Sequence, residues 1–224
     1  MISIVGLGTG GSKIAKEFDQ YSVYNVYALD FLEKYEKPED YEKNVPDLRE
    51  HLVDIDSHVQ FFVVGSSYSS NYALGILEQI KDKKIDLIYV KPDTELLAGV
   101  PKLVERAAFG VLQEYARSGL LNSITLINNL SVEQVLQNVP IKTYYNTLNT
   151  MIASSIHYIN YFENTEPIIG VRAKPPEVAR IRSIGALDMD TLEEKWFFDL
   201  DIDRDVCYYL CINNERLEND GSLH

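Results

Sequence analysis

Gly6-Leu7-Gly8-Thr9-Gly10-Gly11-Ser12 follows an apolar run at residues 1–5 and precedes a helical pattern with Ile14, Phe18 and Tyr21 on one face. Gly6, Gly8 and Gly11 satisfy the spacing G-x-G-x-x-G, and Asp30 stands nineteen residues beyond Gly11 at the end of a second apolar run, 25–30. Glycines let a backbone approach a phosphate, and the helix that follows turns its free N–H groups toward it. An acid in the place of Asp30 can hold a ribose hydroxyl. Two readings stand on these residues: a nucleotide phosphate site, or a tight strand–helix turn without a ligand. The loop names no particular nucleotide.

Working outward, apolar runs at 60–64, 86–90 and 124–127 read as buried strands, separated by helical patterns. A small-residue loop, Gly65-Ser66-Ser67-Tyr68-Ser69-Ser70-Asn71, opens a helix whose stripe is Ala73, Ile76, Leu77 and Ile80. Residues 101–118 predict a helix with Pro101 in its first turn, Gly119 as C-cap, and Val104, Ala107, Ala108, Val111, Leu112 and Tyr115 facing inward. Residues 140–162 predict the longest helix, with Ile141, Tyr145, Leu148, Ile152, Ile156 and Ile159 as its apolar face. Residues 31–55, charged and carrying Pro38 and Pro46, predict a long loop with some short helix. Alternation of this kind implies an α/β fold, a doubly wound and mostly parallel sheet. Beyond Phe162 the pattern changes to prolines and then to strand-like runs at 180–187, 195–202 and 205–212. The expected organisation is a nucleotide-binding domain at 1–139, a linking helix at 140–162 and a small strand-rich second domain at 163–224.

Composition bounds the function. The 224 residues carry 21 Lys and Arg against 34 Asp and Glu, a net charge of -13. A nucleic-acid binder needs a basic face, and the only loose basic cluster is Arg172, Lys174, Arg180 and Arg182. Cys207 and Cys211 lie four apart on a predicted strand, about 13 Å at 3.3 Å per residue, too far to bridge. No run approaches the roughly 20 apolar residues of a membrane helix, and no basic segment precedes the first apolar stretch, so a cytoplasmic location is expected. Fifteen tyrosines suit either an interface or a Tyr-rich core. Asp54 and Asp56, and the alternating Asp199, Asp201, Asp203 and Asp205, read first as solvated acids; the second set lacks the glycine and terminal Glu of a calcium loop. An NAD-type Rossmann protein is the alternative that the first sixty residues allow, but no catalytic residue for it follows.

The phosphate-loop string resembles that of the tubulin/FtsZ family, and later features fall in the family's order. The loop 65–71 occupies the place of the glycine-rich signature loop. Lys91-Pro92, the Ala107 and Gly110 pair, and the strand ending in Asn129 resemble successive family elements. The helix from Pro140 is similar to the family's central helix, with Asn149 at its base-contacting position. The resemblance implies GTP or GDP held by Gly6, Gly8, Thr9, Gly10, Gly11, Ser12, Ser66, Ser67, Ser69 and Ser70, with Asn129 and Asn149 reading the base and Mg²⁺ as a companion. It also implies self-association into a head-to-tail filament.

Three departures bear on that expectation. Tyr68 and Asn71 replace signature-loop glycines, and a Cβ where φ must be positive costs roughly 1 kcal/mol or more. The family's water-positioning acids are missing from 168–177 except for Glu177; Arg172 and Lys174 stand there instead, so hydrolysis is expected to be weak or absent, with Glu177 and Arg172 the only catalytic candidates. The second domain is short. A nucleotide-free structural or interaction module on the same fold is the competing expectation.

Overall fold

The computed structural model describes residues 1–136, 138–166, 176–189, 191–202, 205–210, 212, 215 and 218, with only the backbone at positions 38 and 100. Six strands form the main sheet: β1 (Ile2–Leu7), β2 (Tyr24–Leu29), β3 (His58–Val64), β4 (Lys84–Lys91), β5 (Ser123–Asn128) and β6 (Ile181–Ser183). Their spatial order is β2-β1-β3-β4-β5-β6, and every neighbouring pair is parallel. The expected doubly wound α/β sheet is present.

Alternation along the strands sorts the core into two layers. Val5, Leu7, Phe61, Val63, Leu87 and Tyr89 point to one face, where they meet α3 (Ala73–Gln79) and α4 (Val100–Ser118). Ile4, Phe62, Ile88 and Val90 point to the other, where they meet α1 (Gly8–Lys16) and α6 (Tyr144–Asn164). Both faces are covered, which explains why the strands read as continuous apolar runs. Between β2 and β3 the chain forms α2 (Pro38–Lys43), the short helix expected within the long loop.

Three helical readings need correction. The inner face of α4 is Glu105, Leu112 and Ala116; Ala107 and Val111 are exposed. Glu105 is buried because the Tyr89 hydroxyl donates to it at 3.1 Å, a polar pairing that an apolar stripe does not reveal. A helix not expected from the sequence, α5 (Asn129–Leu136), follows β5 directly. The long helix begins only at Tyr144, after a 3₁₀ turn at Ile141–Thr143, so Ile141 and Tyr145 are exposed, while Leu148, Ile152 and Ile156 pack as expected.

The C-terminal segment also differs. β6 completes the main sheet rather than a separate one, and β7 (Gly185–Leu187) pairs antiparallel with β8 (Glu194–Trp196). Residues 197–202 bend instead of extending the strand, and 205–210 run without ladder partners. Tyr209 stacks on Phe162 of α6 with ring centroids 5.3 Å apart. Cys207 is a half-buried free thiol; Cys211, Asp203, Lys174 and Arg172 lie outside the described residues.

Candidate functional site

The chain passes from β1 out to β2 and then returns past β1 to β3, so the strand order reverses between β1 and β3. In open parallel sheets this reversal leaves a crevice at the carboxyl ends of the strands. The two predicted phosphate loops meet there. A Cβ added to Gly8 would lie 3.0 Å from the Ser69 Cβ and 3.3 Å from the Ser67 hydroxyl.

The first loop is tighter than expected, because β1 runs through Leu7 and α1 starts at once on Gly8, whose φ is +72°. The other glycines serve packing. A Cβ on Gly11 would sit 2.5 Å from the Phe62 carbonyl oxygen, and one on Gly10 would sit 2.7 Å from Val64 Cγ2, so these two positions let α1 lie directly on β3. Gly6 has the same role against Gly11 and Ala15. Leu7 at the N-cap provides no side-chain hydrogen bond, and the first turn holds no acid. The start of α1 therefore keeps backbone donors and a positive dipole end directed at the crevice.

The hydroxyls are otherwise engaged. Ser12 is buried and donates to the Gly6 carbonyl at 3.2 Å, with the Leu29 carbonyl at 3.3 Å. Ser67 donates to the Val64 carbonyl and accepts from the Ser70 N–H, and Ser70 donates to the Ser67 carbonyl. Thr9 donates to one oxygen of Asp30 at 2.9 Å, and Ser69 reaches its other oxygen at 3.3 Å. Asp30, expected to hold a ribose, thus receives the Thr9 hydroxyl, while the single Ser69 proton is shared between Asp30 and the Phe31 carbonyl at 3.2 Å. Ser66, at φ +57°, is exposed.

The two asparagines expected at the base are on different elements. Asn129 opens α5 at the end of β5, and Asn149 is on α6. The lower end of α6 is fixed by buried Asn160, whose amide exchanges hydrogen bonds of 2.7 and 2.8 Å with the amide of Gln60 near the start of β3. Eleven residues separate Asn160 from Asn149, about 16 Å at 1.5 Å per residue. β3 rises about 13 Å from Gln60 to Val64. Asn149 is half-buried on α6, and the next residue, Thr150, donates to Glu17 just beyond the C-terminal end of α1 at 2.9 Å. Tyr144, one turn earlier, donates to Glu133 of α5 at 2.8 Å, which holds the two asparagine-bearing helices together.

Other expected residues are elsewhere. Glu177 is exposed in a turn. Arg180 donates to the Leu121 carbonyl and Arg182 to the Ala179 carbonyl, so both are structural. Asp56 accepts from Ser3 and Asn25 at the amino end of the sheet, away from the crevice. Lys91 lies over the rings of Phe109 and Phe198, at 4.6 and 5.5 Å. Nothing lies within 4 Å of where a Gly110 Cβ would be. Among the described residues no group of three or more His, Cys, Asp and Glu could hold a metal ion, and no helix is long and apolar enough to cross a membrane.

No family model matches the sequence, and no curated protein matches it. Solved structures do. CetZ2 from Haloferax volcanii, described as a GTPγS-bound protofilament, superposes over 70% of this chain with a TM-score of 0.51 at 12% identity. An empty FtsZ dimer from M. jannaschii superposes over 76% of this chain with a TM-score of 0.55 at 12% identity. A GTPγS-form protofilament of TubZ from Bacillus thuringiensis serovar israelensis superposes over 70% of this chain with a TM-score of 0.52 at 12% identity. The matches span 57%, 57% and 56% of those chains, so this chain corresponds to little more than half of each. With its parallel sheet, its crevice between β1 and β3 and its long α6, the chain has the tubulin/FtsZ-like fold in a divergent form.

Proposed function

We propose that this chain binds a guanine nucleotide in the crevice between β1 and β3 and self-associates head to tail, with hydrolysis weak or absent. The observation that carries the reading is the start of α1: an uncapped, acid-free helix N-terminus built on glycines at the reversal point of the sheet. Backbone donors of Gly8, Thr9, Gly10 and Gly11 would take the phosphates. Asn129 and Asn149 would contact the base. Mg²⁺, having no protein cluster of its own among the described residues, would be held largely by the phosphates. Glu177 is the single acid left in the stretch 168–177, which supports weak hydrolysis. The solved relatives are described as protofilaments and as a dimer, and head-to-tail contacts that do not close give open filaments. Electron microscopy of the protein with and without GTPγS tests this: nucleotide-dependent filaments support it, and none under either condition overturns the self-association.

One observation favours a second reading, a nucleotide-free module on the same fold. The Asp30 carboxylate already engages the Thr9 and Ser69 hydroxyls beside the α1 N-terminus, where an anion would be stabilised. Ordered assemblies from protein that carries no nucleotide after denaturation and anion exchange would decide for it. Among the described residues the NAD-type alternative gains no catalytic residue.

A further inference from the structure

The outer side of α4 is apolar where a surface helix is ordinarily polar. Leu103 is 67% exposed, Ala107 and Val111 are exposed, and Leu120 is 57% exposed just past the Gly119 cap. At 3.6 residues per turn, Leu103, Ala107, Gly110, Glu114 and Arg117 fall on one side of the helix, with Arg106 and Val111 at its two margins. This side is opposite the buried Glu105, Leu112 and Ala116.

Gly110 stands at the middle of the outer side, inside the helix, where glycine is less stable than alanine. Its φ is not positive, and among the described residues nothing lies within 4 Å of where its Cβ would be. Gly6, Gly10 and Gly11 each admit a neighbour from within the chain; Gly110 admits none. A helix glycine with no partner inside the molecule suits a backbone approached from outside it.

The charges around Gly110 are self-complementary. Arg106 lies four residues before it and Glu114 four after. Two α4 helices packed antiparallel about a two-fold axis at Gly110 bring Arg106 of each copy level with Glu114 of the other. Leu103, seven before, comes level with Arg117, seven after, beside Leu120. A parallel pair would set Arg106 on Arg106 and Glu114 on Glu114 instead. Among the described residues the Arg106 guanidinium has no hydrogen bond or ion pair, whereas Glu114 accepts from Arg117 and keeps further lone pairs.

We propose that this face binds a second copy of the chain, α4 against α4, antiparallel about Gly110. With glycine at the centre the helix axes can close to about 8 Å. The two Arg106–Glu114 pairs set direction and register, and the leucines cover the ends. The contact is isologous and closes at two copies, unlike a head-to-tail contact, and it does not rest on nucleotide binding. A single helix pair is a small interface, so a dissociation constant on the order of tens of micromolar is expected.

Sedimentation velocity of the intact, nucleotide-stripped chain, at concentrations up to about 300 µM, tests the proposal. A concentration-dependent shift from monomer to dimer is expected. Gly110→Leu fills the closest approach and is expected to weaken the dimer about tenfold or more, with the unfolding midpoint unchanged or raised because the position is open within the chain. Arg106→Glu sets like charges level and is expected to weaken it about tenfold. Adding Glu114→Arg restores opposite charges in swapped order and is expected to recover most of that loss. A chain that stays monomeric, association unaltered by Gly110→Leu, or a double variant no tighter than Arg106→Glu alone would each overturn the proposal.

Discussion

The Thr9 hydroxyl donates to the Asp30 carboxylate at 2.9 Å, tying the first turn of α1 to the end of β2. A nucleotide phosphate in this crevice would meet that negative charge. Asp30→Asn keeps an acceptor for Thr9 and removes the charge. Because Asp30 is exposed, the gain in nucleotide affinity is expected to be modest, about fivefold at low salt and smaller as salt is added. Nucleotide titrations at two ionic strengths check both parts.

Gly11 and Gly110 should respond oppositely to alanine. At Gly11 the new Cβ would collide with backbone of β3, so Gly11→Ala is expected to lose about 2 kcal/mol or more. Gly110, inside α4 and facing open space, should gain about 0.5–1 kcal/mol as alanine from helix propensity alone. Urea unfolding midpoints of the two variants give the comparison.

The Gln60–Asn160 amide pair fixes α6 to β3. Asn160→Leu leaves the Gln60 amide buried without partners and is expected to cost about 2–3 kcal/mol. Adding Gln60→Leu removes the orphan and should recover part of that loss. A double-mutant cycle measures the coupling; strictly additive losses would show that the pair does not act as a unit.

Asp86 accepts from His58 at 2.6 Å, from Asn122 at 2.6 Å and from Ser123 at 2.5 Å. Burial pushes its carboxyl up, but the hydrogen bonds from His58, Ser123 and Asn122 outweigh burial, and the net direction is down. The folded value is therefore below the unfolded one of about 3.9. The stabilisation is complete above that value and is lost as pH falls through the lower folded one. Unfolding free energy should drop through this window, and Asp86→Asn should flatten the drop while lowering stability at neutral pH.

The sheet was legible because its strands are buried on both faces and read as uninterrupted apolar runs. The glycine string located the crevice for a related reason: only glycine tolerates the closeness of α1 to β3 at Gly10 and Gly11. What escaped the sequence depends on contacts between distant residues. The face of α4 was misjudged because buried Glu105 answers Tyr89 across the core. α5 was missed because it is short and follows β5 without a gap. Residues 205–210 of the third candidate strand are not in a ladder, and Tyr209 stacks on Phe162. At the crevice, sequence located the serines but gave no sign that Ser12, Ser67 and Ser70 spend their hydroxyls on the local backbone.

The most direct test of the central claim is a binding titration of nucleotide-stripped protein with fluorescent GTPγS, competed by GTP, ATP and NADH. Saturable binding displaced by GTP and not by ATP or NADH is the expected result. No binding at millimolar nucleotide, with ordered assemblies still forming, would contradict it and leave the fold as a nucleotide-free module.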